Sequence, residues 1–430
     1  MAADKDKHSV TLDVEKCRGC TACLKRCPTE AIRVRDGRAV IRSELCIDCG
    51  ECIRVCPHKA KKAAYDRFED FAGYKYKVAI PAPALYGQFE KLDDLDKVLT
   101  ALLECGFDDV FEVSRAAELV SEYSRIFMKS STLPKPVIST ACPAIIRLIS
   151  IRFPELLPNL MPLIAPVELA AKMARKEALE KHPELKDEDV CVLLLSPCPA
   201  KVSYVHNPIG VSSTAITGAL SISDFYFKIR SQMKKIGELL PLSQTGSIGL
   251  SWASTGGEAT ALFADRYLAA DGMENVIQVL DEIENNTFHN LEFVELNACP
   301  GGCVGGVLNV ENPYIAKARL RYLRKYRPLA QNHLQSSRAE SSFYDWDGCV
   351  EYKPVGLLSE DRGESLRKMV MIETLCKTLP GIDCGSCGAP TCRALAEDIV
   401  QQQATISNCV IRWRDRLDQM EAGVDEEDLK

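Results

Sequence analysis

Two cysteines separated by a proline and two glycines, Cys299-Pro300-Gly301-Gly302-Cys303, are followed at once by Gly305 and Gly306. Glycines remove Cβ atoms, so such a backbone can wrap closely around a bulky group. Two thiolates on a loop of this kind read as cluster ligands, and two further cysteines must then converge on it. The chain offers many, with twenty cysteines in 430 residues. The polar start, Met1-Ala2-Ala3-Asp4-Lys5, does not resemble a signal peptide, which points to the cytoplasm. Thiols there are kept reduced, so metal ligation is a better reading than disulfides.

The spacing of the remaining cysteines selects iron–sulfur chemistry. Cys17, Cys20, Cys23 and Cys27-Pro28 form a CxxCxxCxxxCP run that repeats as Cys46, Cys49, Cys52 and Cys56-Pro57. This is the two-cluster ferredoxin spacing, in which the fourth cysteine of each run ligates the other cluster. The expected sets are therefore Cys17, Cys20, Cys23 and Cys56 for one [4Fe-4S] cluster, and Cys46, Cys49, Cys52 and Cys27 for the second. Zinc sites rarely use this triple spacing. Near the other end, Cys384, Cys387, Cys392 and Cys409 stand in a glycine-rich context and read as ligands of a further [4Fe-4S] cluster. Cys105 and Cys191 lie in or beside apolar runs and read as buried structural thiols. Cys376 reads as free, and Cys349 has no assignment.

The elements that must position these residues follow from periodicity. An α+β ferredoxin-like domain is expected over residues 1–75, with hairpin strands such as Ala31 to Val34 and Arg38 to Ile41. Residues 76–330 alternate apolar strands with helical spacing, as in Leu92, Leu95, Leu99 and Leu102, and predict an α/β domain with a largely parallel sheet. Val110 to Val113 reads as a short strand. Three strands end just before Thr140-Ala141-Cys142-Pro143, Ser196-Pro197-Cys198-Pro199-Ala200-Lys201 and Asn297-Ala298-Cys299. Ligands of open α/β sheets sit beyond such carboxyl ends, so Cys142, Cys198, Cys299 and Cys303 are expected to share one crevice. Residues 331–370 read as a polar linker, 371–410 as a small helical cluster domain, and 411–430 as a C-terminal helix and tail. The tail helix is either solvated or a docking element for a partner or a second copy of the chain.

Composition narrows the partners. A net charge of −7 argues against nucleic acid, which needs a basic face. No apolar run is long enough to span a membrane.

The central segments resemble the catalytic domain of the [FeFe]-hydrogenases, whose three signatures are approximately TSCCP, MPCxxK and a glutamate-led CxxGCxxGG. They correspond here to Thr140 to Pro143, Ser196 to Lys201 and Glu295 to Gly306, and Phe153-Pro154-Glu155-Leu156 and Ala165-Pro166-Val167-Glu168 are similar to further landmarks. The resemblance covers roughly residues 76 to 325. It implies a catalytic domain with its cluster in a crevice between two subdomains. It also implies an H-cluster: a [4Fe-4S] cube held by Cys142, Cys198, Cys299 and Cys303, and a two-iron subsite with CO, cyanide and a bridging dithiolate. Cys303 would bridge the two parts, and Lys201 would face a cyanide. With the two ferredoxin clusters and the C-terminal one, three additional [4Fe-4S] clusters are expected. Dihydrogen and protons, maturation proteins for the two-iron subsite, and a redox or signalling partner are the implied partners.

Departures from the family pattern are equally informative. Ala141 stands where catalytic members carry a proton-donating cysteine, Ser196 replaces a methionine, Ala165 replaces a serine, and Val307 to Asn309 replaces a Gly-Gln-Pro run. Glu258, Glu295 and Glu168 are candidates for another proton relay, the first two being the preferred pair. The missing thiol and the C-terminal cluster domain resemble the sensory branch of the family, although no PAS domain is seen. The expectation is a low-turnover hydrogenase that senses dihydrogen or redox state. The alternatives are an ordinary ferredoxin-linked hydrogenase and a hydrogenase-like iron–sulfur protein without the two-iron site.

Overall fold

The computed structural model describes residues 8–334, 341–354 and 358–422. Part of the expected linker and the acidic end of the tail lie outside them. The chain divides into two compact units. The first comprises residues 47–50 and 63–352 together with the N-terminus to Val10; the second comprises 11–46, 51–62 and 353–430.

The first unit is built on two parallel sheets rather than one. Four strands lie in the order Asp109–Val110, Tyr76–Pro81, Val190–Ser196 and Gly218–Ser221, all parallel. Three more lie in the order Tyr267–Asp271, Phe293–Asn297 and Val137–Ile138, again parallel. Val190–Ser196 is buried along its whole length, as expected of a parallel strand covered on both faces. Each sheet has its own apolar core. Leu194, Val192 and Ile80 pack with the alanine-rich face of helix Pro166–Lys181, and Ile138, Val294 and Leu296 pack with helix Pro143–Arg152. Two sheets arise because the signature strands are of two origins: Val190–Ser196 belongs to one, and Val137–Ile138 and Phe293–Asn297 are neighbours in the other.

Two boundaries differ from expectation. The strand expected at Val110 to Val113 stops at Val110, and helix Val113–Ser130 begins at once. The buried Glu112 carboxylate takes the Tyr86 hydroxyl and the Gln244 backbone N–H, which turns the chain out of the sheet. The stretch expected as a linker is also partly structured. Tyr344 stacks on Tyr123 with centroids 4.6 Å apart, the Trp346 N–H donates to the Pro162 carbonyl, and helix Arg362–Thr378 starts inside the stretch. No helix among the described residues is long and apolar enough to cross a membrane.

The second unit carries the hairpin Ile32–Arg35 and Arg38–Ile41. It also holds the helices Arg362–Thr378, Cys392–Val400 and Val410–Ala422. Trp413 and Leu417 are exposed.

Candidate metal centre

The centre of the first unit is made by strand ends and helix starts. Cys142 is the N-cap of helix Pro143–Arg152, and Cys198 is the N-cap of helix Pro199–His206; each helix opens on a proline. Proline suits a first helical position because its missing N–H is not needed there. The positive end of the longer helix favours a thiolate beside it. Cys299 follows strand Phe293–Asn297, and Cys303 opens a short 3-10 turn. The glycines make this loop fit: a Cβ on Gly306 would stand 2.1 Å from the Pro197 carbonyl oxygen, and one on Gly302, at φ +93°, would stand 2.6 Å from the Thr255 nitrogen.

One side chain reports how close the four sulfurs are. Lys201 is buried, with its ammonium 3.8 Å from the Cys303 sulfur. Burial works against its charge, yet the sulfurs of Cys303, Cys198, Cys142 and Cys299 together raise its pKa above the ordinary lysine value. Burial pushes the Cys198 thiol up to about 11, partly offset by Lys201. Such a thiol becomes a thiolate when a metal displaces its proton. The donor set thus fits a cluster: four sulfurs, an ammonium to balance anionic ligands, and a loop whose glycines let the backbone approach closely.

A pocket with about 580 Å³ of empty space, part of it open to solvent, adjoins Cys303 and Lys201. Ala141, Ala165, Pro197, Glu258, Glu295 and Asn297 also line it. Glu258 and Glu295 are 3% and 4% exposed, so both carboxyls are removed from bulk water. Burial and the neighbouring Glu295 push Glu258 up to about 8, against a 2.5 Å hydrogen bond from the Ser139 hydroxyl. Burial raises Glu295 as well, opposed by the Ala259 and Gly256 N–H groups and by the Asn297 amide, each at 2.9 Å. The Ser139 oxygen also accepts the Ala141 N–H at 3.2 Å. A hydrogen-bonded line therefore runs from the alanine backbone through Ser139 to Glu258, beside Glu295.

Other expected residues are placed differently. Ser196 is fully buried, but its hydroxyl donates to the Cys198 carbonyl and accepts the Cys198 N–H, so it closes the turn and is not among the cavity-lining residues. Glu168 is also fully buried and is held by the Tyr204 and Thr214 hydroxyls and the Ala215 N–H, away from the cavity lining. Ser139 was not singled out by sequence, and Asn297 and Asn309 were named there only as motif positions without a role. The Asn309 amide donates to the Cys303 and Val304 carbonyls and fixes the loop. Their one sequence signal is adjacency to the cysteine motifs. Cys191 is fully buried, Cys105 is half-buried, and Cys349 is exposed with its thiol 3.6 Å from Glu351.

The N-terminal cysteines fall on both units. Cys17, Cys20, Cys23 and Cys56 line a single cavity with about 330 Å³ of empty space, together with Val34 and Lys61. The Ala31 N–H donates to the Cys27 sulfur and the Ala60 N–H to the Cys56 sulfur, both at 3.2 Å, so the two runs repeat the same local geometry. Cys46 and Cys52 lie in the second unit and Cys49 in the first. Cys49 joins the buried apolar cluster that contains Cys198. A Cβ on Gly50 would stand 2.8 Å from Val307, so this loop fits closely against the domain that holds the four-sulfur centre.

In the second unit, Cys387, Cys392 and Cys409 pack into one apolar cluster with Cys376, and the charges of Cys384 and Cys409 both act on Cys387. Cys376 is therefore beside the motif rather than remote from it. The motif is fastened to the ferredoxin hairpin. The Val34 N–H donates to the Gly388 carbonyl at 2.8 Å, and buried Asp398 receives Arg33 at 2.8 Å and Arg35 at 2.5 Å, with Arg42 at 3.8 Å.

Cysteines grouped at three places on an α/β and ferredoxin-like framework define an iron–sulfur protein. Three family models agree. The "Iron only hydrogenase large subunit, C-terminal domain" model matches residues 75–220 and 252–307, a "4Fe-4S dicluster domain" model matches 4–60, and a model for an Fe-S cluster matches 379–411. Among solved structures, a glutamate-to-alanine variant of [FeFe]-hydrogenase HydA1 from Chlamydomonas reinhardtii is similar at a TM-score of 0.51 and 15% identity, covering 65% of this chain and 95% of its own. HydA(deltaEFG), a structure titled for stepwise [FeFe]-hydrogenase H-cluster assembly, is similar at a TM-score of 0.50 and 16% identity, covering 67% of this chain and 97% of its own. No curated protein sequence matches the chain. Over residues 75–220 and 252–307 the chain belongs to the [FeFe]-hydrogenase family.

Proposed function

We propose that this protein is a low-turnover, sensory-type hydrogenase that converts dihydrogen into two protons and two electrons, and the reverse. Cys142, Cys198, Cys299 and Cys303 would hold the cube of the H-cluster, and the cavity beside Cys303 and Lys201 would hold the two-iron subsite. That subsite, with its CO, cyanide and bridging dithiolate ligands, supplies the reversible heterolysis of dihydrogen. Lys201 orients it by a charge-assisted hydrogen bond to an anionic ligand. Ala141 presents only a methyl group and a backbone already bonded to Ser139, so it offers no exchangeable proton. Glu258 and Glu295 form the replacement proton stop: a buried pair can hold one proton between them near neutral pH.

The observation that carries this reading is the cavity wall, where Ala141 and the paired glutamates occur together with Lys201. Losing the usual acid–base group costs on the order of 10²–10⁴ in rate, which suits detection better than fuel use. Electrons would leave through the cluster of Cys46, Cys49, Cys52 and Cys27. From the cluster of Cys17, Cys20, Cys23 and Cys56 they would reach the C-terminal cluster of Cys384, Cys387, Cys392 and Cys409. Val34 supports that step, because it lines the first of these two sites and binds Gly388 in the other. A redox or signalling partner would take the electrons from there. Maturation proteins must load the two-iron subsite, and a protein that depends on reduced thiols would work in the cytoplasm.

The test is infrared spectroscopy of cluster-loaded protein matured with a synthetic two-iron complex, followed by turnover at matched occupancy. CO and cyanide bands with slow turnover are expected. Intact cubes with no such bands would leave only the hydrogenase-like iron–sulfur reading. A rate equal to that of a standard hydrogenase would sink the sensory one.

A further inference from the structure

Lys61 is the unexplained charge of the ferredoxin module. It is 2% exposed, and its ammonium has no hydrogen-bond partner among the described residues. Strand Lys61–Ala63 sends successive side chains to opposite faces. Lys62 points outward to Asp13, with its ammonium 2.9 Å from the carboxylate. Lys61 points inward and lines the cavity shared by Cys17, Cys20, Cys23 and Cys56.

A buried unpaired ammonium is costly, so its partner must be a group other than the protein's own side chains and backbone. A cube held by four thiolates is anionic and would be that partner. The repeat shows that the charge is not required by the fold. Lys61 stands five residues after Cys56, and the corresponding place after Cys27 is the buried, apolar Ile32.

From this asymmetry we infer that Lys61 sets the reduction potential of the cluster held by Cys17, Cys20, Cys23 and Cys56. The inference rests on those cysteines being cluster ligands. Reduction adds one electron to the cluster, and a fixed positive charge stabilises the reduced form more than the oxidised one. The cluster beside Lys61 is then the easier of the two to reduce. Electrons released at the hydrogen site collect on it rather than on the cluster of Cys46, Cys49, Cys52 and Cys27. Because Val34 joins the same cavity to Gly388, the collected electron sits beside the C-terminal cluster. Lys61 thereby gives the chain of clusters a direction.

The experiment is a potentiometric titration of full-length protein with its cubes loaded and the two-iron subsite left out, followed by electron paramagnetic resonance. Wild type is compared with Lys61→Gln, Lys61→Met and Lys61→Arg, with iron measured on each. Lys61→Gln and Lys61→Met should lower the reduction equilibrium of one cluster signal by tenfold or more, which is 59 mV for a one-electron couple. Lys61→Arg should keep most of the wild-type value. Loss of one cluster in the two neutral variants and not in Lys61→Arg would also support the charge as its partner. Full iron content with unmoved potentials would overturn the inference, as would loss of the cluster in all three variants. Absence of ferredoxin cubes in the wild type would instead overturn the ligand assignment.

Discussion

Replacing Glu258 by glutamine tests the proton stop most directly, because glutamine copies the protonated acid and cannot ionise. An ordinary glutamate, at 4.5, is protonated at pH 7 in about one molecule in three hundred. Glu258, raised to about 8, is protonated there in about ten for each ionised. That difference corresponds to at most about 5 kcal/mol at 1.36 kcal/mol per pH unit. Its sign is fixed by linkage. A carboxyl whose folded pKa is raised destabilises the fold progressively as pH rises above 4.5, and the penalty saturates near 8. The wild type should therefore lose stability across this window, and Glu258→Gln should lose less. Two measurements follow the effect in cluster-loaded protein. Infrared difference spectra should show a protonated carboxyl band that titrates near pH 8 in the wild type and is missing in the variant. Denaturant midpoints at about pH 5 and about pH 9 should differ less in the variant. A carboxyl band and a pH slope that survive the substitution would refute the assignment of the raised acid to Glu258, and with it the proton stop.

Two further outcomes follow. Ala141→Cys restores a thiol on the cavity wall and should raise hydrogen turnover of the matured protein by at least about 10²; an unchanged rate would mean that proton delivery does not limit it. Asp398→Ala leaves buried Arg33 and half-buried Arg35 without their carboxylate, a loss of about 3–5 kcal/mol. Limited proteolysis should then cut between the ferredoxin and C-terminal cluster motifs, and the magnetic coupling between their reduced clusters should weaken.

Cysteine spacing carried most of the iron–sulfur chemistry in the sequence, because cluster ligands sit on short loops whose separations are local properties. The repeat of Cys17 to Cys27 in Cys46 to Cys56 and the loop from Cys299 to Cys303 are legible without coordinates. So is the substitution at Ala141, which is informative because neighbouring signature residues fix its place. Single strands were legible for the same reason. Their grouping into two sheets was not, because the partner of Val137–Ile138 lies far along the chain at Phe293–Asn297.

What only the tertiary structure decided is which distant polar groups meet. Glu258 and Glu295 are both plausible surface carboxylates in sequence, and burial in one cavity turns them into a coupled pair. Glu168, the less favoured relay candidate, and Ser196, which stands in place of a methionine, are held by other groups. Asp398 reads as an ordinary helix residue until the fold brings three arginines to it. Lys61 and Lys62 are adjacent and chemically alike, yet strand alternation sends one to solvent and the other into a ring of sulfurs. Spacing along the chain marked the candidate ligands. Burial and long-range contact, which set local dielectric and charge pairing, decided which residues are proposed to govern their protons and electrons.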